Sequence, residues 1–174
     1  IAVTRINPEK AMNQAPLILC LLSFAVVTAH AAANDETQLT VKDTLSIAQM
    51  RGVPIKWDID ANLATFVEQA HAAAKEKPDI FITPECWLDG YAAPDEGSTR
   101  EKLKTVAQPL EGSPYLDKVA ELAKQYNMWI CFGFSSLEDG KLLNASGLWN
   151  RQGELVGVYH KTHIQTHDVQ YDLG

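Results

Sequence analysis

An α/β layer protein is the fold class that the sequence predicts, and three features of its patterning carry the prediction. Short apolar runs alternate with stretches of helical periodicity from residue 45 to about residue 134. Proline or glycine punctuates the junctions, and the chain then closes on three strand-like runs separated by turn signals. The order reads β-α-β-α-β-β-β. With 174 residues, 46% hydrophobic and 21% charged, the chain is long enough for one globular domain with a real core.

Leu45 to Met50 forms the first expected core strand, and Gly52, Pro54 and Trp57 break any period after it. Asp60 is a plausible N-cap for a helix whose apolar stripe runs through Leu63, Phe66, Val67, Ala70 and Ala74, with Pro78 ending the element. Ile80 to Thr83 reads as a short strand halted at Pro84, because proline has no N–H for the ladder. A short helix is expected within Thr99 to Val106. Ser113-Pro114 is a stronger helix start, a hydroxyl cap followed by proline at the first helical position. Leu116, Val119, Ala120, Ala123 and Tyr126 then recur at helical spacing. Met128 to Phe134 is dense enough in apolar residues to be a buried strand, and Asp139-Gly140 signals a hairpin. Leu142 to Trp149 and Glu154 to Tyr159 are the closing strands, with a turn at Asn150 to Gly153. Lys161 lies just past the last strand.

The N-terminal region is set apart from this pattern. Leu17 to Val27 is an apolar run too short for a comfortable membrane span, and it ends in small residues suited to cleavage after Ala31. Residues 1–33 are therefore read as a signal peptide region, with Arg5 and Lys10 as its basic part and a retained membrane anchor as the alternative. Residues 34–44 form a flexible segment, and residues 45–174 the folded unit. Export to a periplasmic or extracellular compartment is the expected localisation, with no membrane association after cleavage. A net charge of −7 without a basic run argues against nucleic acid as a partner. Cys20, Cys86 and Cys131 make no CxxC pair and no disulfide framework.

Glu85 and Lys161 share a setting, each at the carboxyl end of a short apolar strand. If those strands are neighbours, a carboxylate and an ammonium converge where α/β sheets gather their ligands. The acid would serve as general base and the amine would stabilise an oxyanion. Either residue, taken alone, is equally consistent with a solvated surface charge. A rival constellation is His160, His163, His167 and Asp168, an imidazole and carboxylate set of zinc-ligand type, but no HExxH motif is present and no metal is expected. Asn144-Ala145-Ser146 is a formal glycosylation sequon whose strand position makes it a poor acceptor.

Three stretches resemble the nitrilase, or carbon–nitrogen hydrolase, superfamily. DIFITPECWLDGY, Asp79 to Tyr91, is similar to the family's strand, Pro-Glu and Gly-Tyr pattern. NASGLWNRQGELVGVYHK, Asn144 to Lys161, is similar to its hairpin leading to Tyr-x-Lys. Ile47 to Met50 followed by Asp60 to Leu63 is a weaker likeness to its first strand and helix. The resemblance covers the chain from about Leu45 to Gly174. It implies a partial nitrilase-like α-β-β-α sandwich and a Glu-Lys-Cys triad needing no cofactor. In that triad Glu85 matches the general base and Lys161 the oxyanion-stabilising lysine. The implied substrates are small non-peptide amides, ureido (N-carbamoyl) compounds or nitriles. A non-catalytic binding relative of the same fold is the alternative. Homo-oligomers are implied for the full-length protein. Asp168 is the candidate for a second acid found in some members, and a loop or capping role for it is equally consistent.

One part of the pattern is missing. The resemblance places the nucleophilic cysteine downstream of Lys161, yet the thirteen residues that follow, THIQTHDVQYDLG, contain none. The chain is accordingly read as the N-terminal part of a longer protein, and the isolated chain is expected to be inactive. Cys86 is expected to point away from Glu85, on the premise of an extended backbone, and Cys131 to be a buried small hydrophobe.

Overall fold

A computed structural model describes residues 2–6 and 44–166. Six strands form one mixed sheet in the order β1-β2-β3-β4-β5-β6: Ala2–Ile6, Leu45–Gln49, Ile80–Ile82, Trp129–Glu138, Lys141–Trp149 and Leu155–His160. The helices are α1 (Ile59–Ala74), α2 (Arg100–Lys104) and α3 (Pro114–Tyr126). Strands β2, β3 and β4 are parallel, as the intervening helical crossovers require, whereas β4, β5 and β6 pair antiparallel through short turns. Strands β3, β4 and β6 therefore run in the same direction.

The core lies between the sheet and α1 and α3. Phe66 of α1 stacks on Phe81 of β3 and meets Phe132 of β4 edge-on, with centroids 5.8 and 4.6 Å apart. Leu116, Val119, Leu122 and Ala123 of α3 complete this layer, which also takes in Ile130, Phe134 and Trp149. By the register, Ile47, Ile80, Ile82, Trp129 and Leu148 point to the opposite face, where they are half-buried. One helical layer on one sheet is half of an α-β-β-α sandwich.

The hairpin at Asp139-Gly140 has both residues at positive φ, 49° and 78°, as a two-residue turn of matching twist requires. That pairing carries β4 past the expected end at Phe134 to Glu138, opposite Lys141. Ser113 caps α3 by accepting from Leu116 N, with Pro114 behind it. The cap of α1 is Asp58 rather than Asp60: Asp58 Oδ1 accepts from Ala61 N at 3.0 Å, while Asp60 accepts from the Tyr115 hydroxyl on α3. The helix ends at Ala74, four residues before Pro78.

Ala2–Ile6 differs from the expectation that residues 1–33 lie outside the fold. It pairs antiparallel with β2, Val3 opposite Ala48, and covers the edge N–H and C=O groups of that strand. Leu17 to Val27 and the Ala31 cleavage point lie outside the described residues.

Candidate active site

Glu85 and Lys161 meet: Lys161 Nζ donates to Glu85 Oε1 at 2.9 Å. The two strands that deliver them are not neighbours, since β4 and β5 lie between β3 and β6. Both residues still leave the carboxyl ends of strands running the same way. The remaining gap is closed by a turn. After Pro84 the chain enters a left-handed conformation at Cys86, φ 46°, and folds across β4 at Gly133. Thr83 supports the crossing, its hydroxyl accepting from Gly133 N at 2.8 Å.

Asn144 of β5 completes the cluster. Its Nδ2 donates to Glu85 Oε1 at 2.6 Å, and its carbonyl accepts from Lys161 N at 2.9 Å, continuing the β5–β6 ladder by one residue. The Glu85 side chain is 48% exposed and that of Lys161 17% exposed. With Ala145, Ser146 and Tyr159 they line a cleft of about 290 Å³ at the sheet's carboxyl edge. The cleft opens on the sheet face opposite α1 and α3. The Tyr91 ring stands 5.9 Å from Lys161 Nζ, close enough for a cation–π contact.

The turn after Glu85 is anchored from behind. Trp87 is buried and donates Nε1–H to Asn62 O on α1 at 2.9 Å, so it belongs to the core and not to the cleft. Asn62 in turn donates to Ile55 O and Leu88 O and accepts from Ile55 N, tying the loop before α1 to the loop after β3. Asp89 is buried, with Oδ2 accepting from Ala92 N at 3.1 Å and Oδ1 without a hydrogen bond. Burial pushes its carboxyl up to about 6, against the opposing pull of the Ala92 N–H and of Ser135.

Two expectations about cysteines need correction. Cys86 is not extended but left-handed, and it is buried, with Sγ 4.0 Å from Ser135 Oγ. Cys131 is half-buried on the sheet face opposite α1 and α3, its Sγ 3.2 Å from Ser146 Oγ, and burial pushes its thiol up from the ordinary range. The raised thiol of Cys131 contrasts with the lowered one that makes a cysteine reactive.

The histidine set is not brought together as a ligand cluster among the described residues. His160 Nε2 faces Glu138 Oε1 at 2.9 Å, and His163 is exposed beside Thr162. His167 and Asp168, the candidate second acid, lie outside the described residues. Asn144 and Gly133 are the site residues that sequence reasoning missed. An isolated glycine inside the run WICFGF was the available signal for Gly133, since glycine within a strand often marks close backbone approach. Asn144 carried no such mark.

A family model described as carbon–nitrogen hydrolase matches residues 44–172. The nitrilase and fragile histidine triad fusion protein of Drosophila melanogaster is 30% identical over 122 residues, covering 70% of this chain and 24% of that protein. A human omega-amidase is 29% identical over 126 residues, covering 72% of this chain and 42% of that one. The crystal structure of an N-terminal amidase with an Asn-Glu-Ala peptide superposes with a TM-score of 0.64 at 19% identity, covering 74% of this chain and 30% of that chain. At that identity the likeness shows the fold, which is of the nitrilase type. The chain thus spans less than half the length of each of these relatives.

Proposed function

Because the chain belongs to the carbon–nitrogen hydrolase family, we propose that it forms the Glu-Lys part of a hydrolase acting on carbon–nitrogen bonds other than peptide bonds, with a small amide or N-carbamoyl substrate. The observation that carries this reading is the 2.9 Å contact between Glu85 and Lys161 at the carboxyl edge of the sheet, in an open cleft.

In the proposed cycle the attacking group is a cysteine thiol contributed from outside these 174 residues. The raised thiol of Cys131 and the burial of Cys86 both disfavour a local substitute. Glu85 accepts the thiol proton as sulfur bonds to the carbonyl carbon. The Lys161 ammonium stabilises the negative charge that develops on the carbonyl oxygen. Collapse of the tetrahedral adduct breaks the C–N bond, and Glu85 returns the proton to the departing ammonia or amine. Water then attacks the thioester, losing a proton to Glu85 and releasing the carboxylic acid and the thiol. No step in this cycle requires a redox change. We further propose that residues 1–33 direct export.

The test is ammonia release by the full-length protein from small amides, N-carbamoyl compounds and nitriles, compared with Glu85→Gln and Lys161→Ala variants. Turnover of the amide or carbamoyl compounds, lost in both variants, supports the reading. Turnover of nitriles alone reassigns the substrate class. Wild-type turnover in the Glu85→Gln variant overturns it.

A further inference from the structure

We propose that Asn144 is a positioning residue for the Glu85 carboxylate, holding Oε1 so that Oε2 is presented for proton transfer; this rests on the reading of Glu85 as the general base. Both donors to Glu85, Asn144 Nδ2 at 2.6 Å and Lys161 Nζ at 2.9 Å, converge on Oε1. Among the described residues no donor reaches Oε2. One oxygen is thus committed, on a side chain that lines the cleft and is 48% exposed.

The two donors are not equivalent. Lysine is a point charge on a flexible four-carbon stem and confers little direction. Asn144 projects from the middle of β5, is 5% exposed, and has Ser135 as its β4 partner. Its amide is therefore fixed by the sheet, whereas Glu85 sits on a turn with half its side chain in solvent. A half-exposed carboxylate is not oriented by packing, and a rigid donor from the strand supplies the missing constraint. The same residue sets Lys161 through its carbonyl, so one strand position governs both charged groups. The amide orientation follows from the chemistry: Nδ2 donates to a carboxylate, whereas Oδ1 facing it would repel. The contact also occupies the sequon asparagine in the folded chain, leaving its nitrogen buried against Glu85.

The experiment uses the full-length protein with Asn144→Ala and Asn144→Asp, the latter keeping the shape but losing the donor. In both, kcat falls about tenfold, the rate equivalent of one hydrogen bond to a charged group. KM stays within about twofold, because the lost constraint concerns proton transfer rather than ground-state binding. The infrared carboxylate band of Glu85, assigned by subtraction of Glu85→Gln, moves in Asn144→Ala, a change that a purely structural role would not cause. If Asn144→Ala does not fold, Asn144→Ser takes its place, since its hydroxyl is too short to reach Glu85. Unchanged kcat and an unmoved band overturn the proposal. Full activity in Glu85→Gln instead overturns the general-base reading, while loss there with unaffected Asn144 variants overturns only the positioning role.

Discussion

Pro84 and Gly133 are pressed together across the sheet edge: a Cβ on Gly133 would fall 2.4 Å from Pro84 O and 2.9 Å from Cys86 N. That approach lets the turn after β3 pass over β4 and deliver Glu85 to β5 and Lys161, two strands beyond its own neighbour. A short parallel strand could not span that distance by extension alone.

Gly133→Ala should therefore separate Glu85 from Lys161 without touching either. We expect a stability loss of about 1–3 kcal/mol from overpacking against rigid backbone. A fall in kcat of at least about tenfold should accompany it if the pair is catalytic. Denaturant melts and steady-state kinetics on the full-length variant read both effects. A variant with wild-type values for both would mean that the turn relaxes freely.

Asn62 should matter for stability rather than chemistry. Its side chain makes three hydrogen bonds while 1% exposed, and truncation to alanine removes the partner of Ile55 N and of Leu88 O, with Ile55 O keeping only its bond from Asp58 N. Asn62→Ala is expected to cost on the order of 2–3 kcal/mol in chemical denaturation. A loss below about 0.5 kcal/mol would show that water replaces the clamp.

Asp89 predicts a pH dependence of folding. Its carboxyl is raised from 3.8 to about 6 by burial, so the folded state favours the neutral form. The ionisation penalty is absent below about pH 4 and complete above about pH 6, so stability falls as pH rises through that window. The linked loss is on the order of 2–3 kcal/mol as an upper bound. Asp89→Asn removes this term, and its stability should decline less than the wild type's between pH 4 and pH 7. Parallel urea melts across that range check the prediction, and superimposable pH profiles would refute it.

Processing at the N-terminus sets two features against each other. Cleavage after Ala31 would remove Ala2–Ile6, the strand that pairs with β2. If residues 1–33 are a signal peptide, the exported protein begins at Ala32 and the outer edge of β2 loses that partner. Intact-mass analysis of protein recovered from cells and from the exported fraction decides this. A mature chain retaining Ile1 to Ala31 would assign the strand to the fold and exclude cleavage after Ala31.

Much of this arrangement was legible in the sequence because it rests on local chemistry. Pro84 stops a strand, Ser113-Pro114 starts a helix and Asp139-Gly140 turns a hairpin, each for reasons contained within a few residues. The Glu85 and Lys161 positions were legible from their strand ends. What lay beyond reach depends on register. Asn144 becomes a partner of Glu85 only once β5 is aligned on β4, and a one-residue slip would turn it to the other face. Cys86 was expected to be extended because nothing local marks its left-handed turn; the close packing of Pro84 on Gly133 creates it. Asp58 and Asp60 are both acceptable caps, and the tertiary contact of Asp60 with Tyr115 separates their roles.

The decisive measurement is ammonia release from small amide and N-carbamoyl substrates by the full-length protein, wild type against Glu85→Gln. Turnover is expected in the wild type, with a loss of at least about a hundredfold in kcat for the variant, the scale of a removed general base. A Glu85→Gln protein that releases ammonia at the wild-type rate would contradict it.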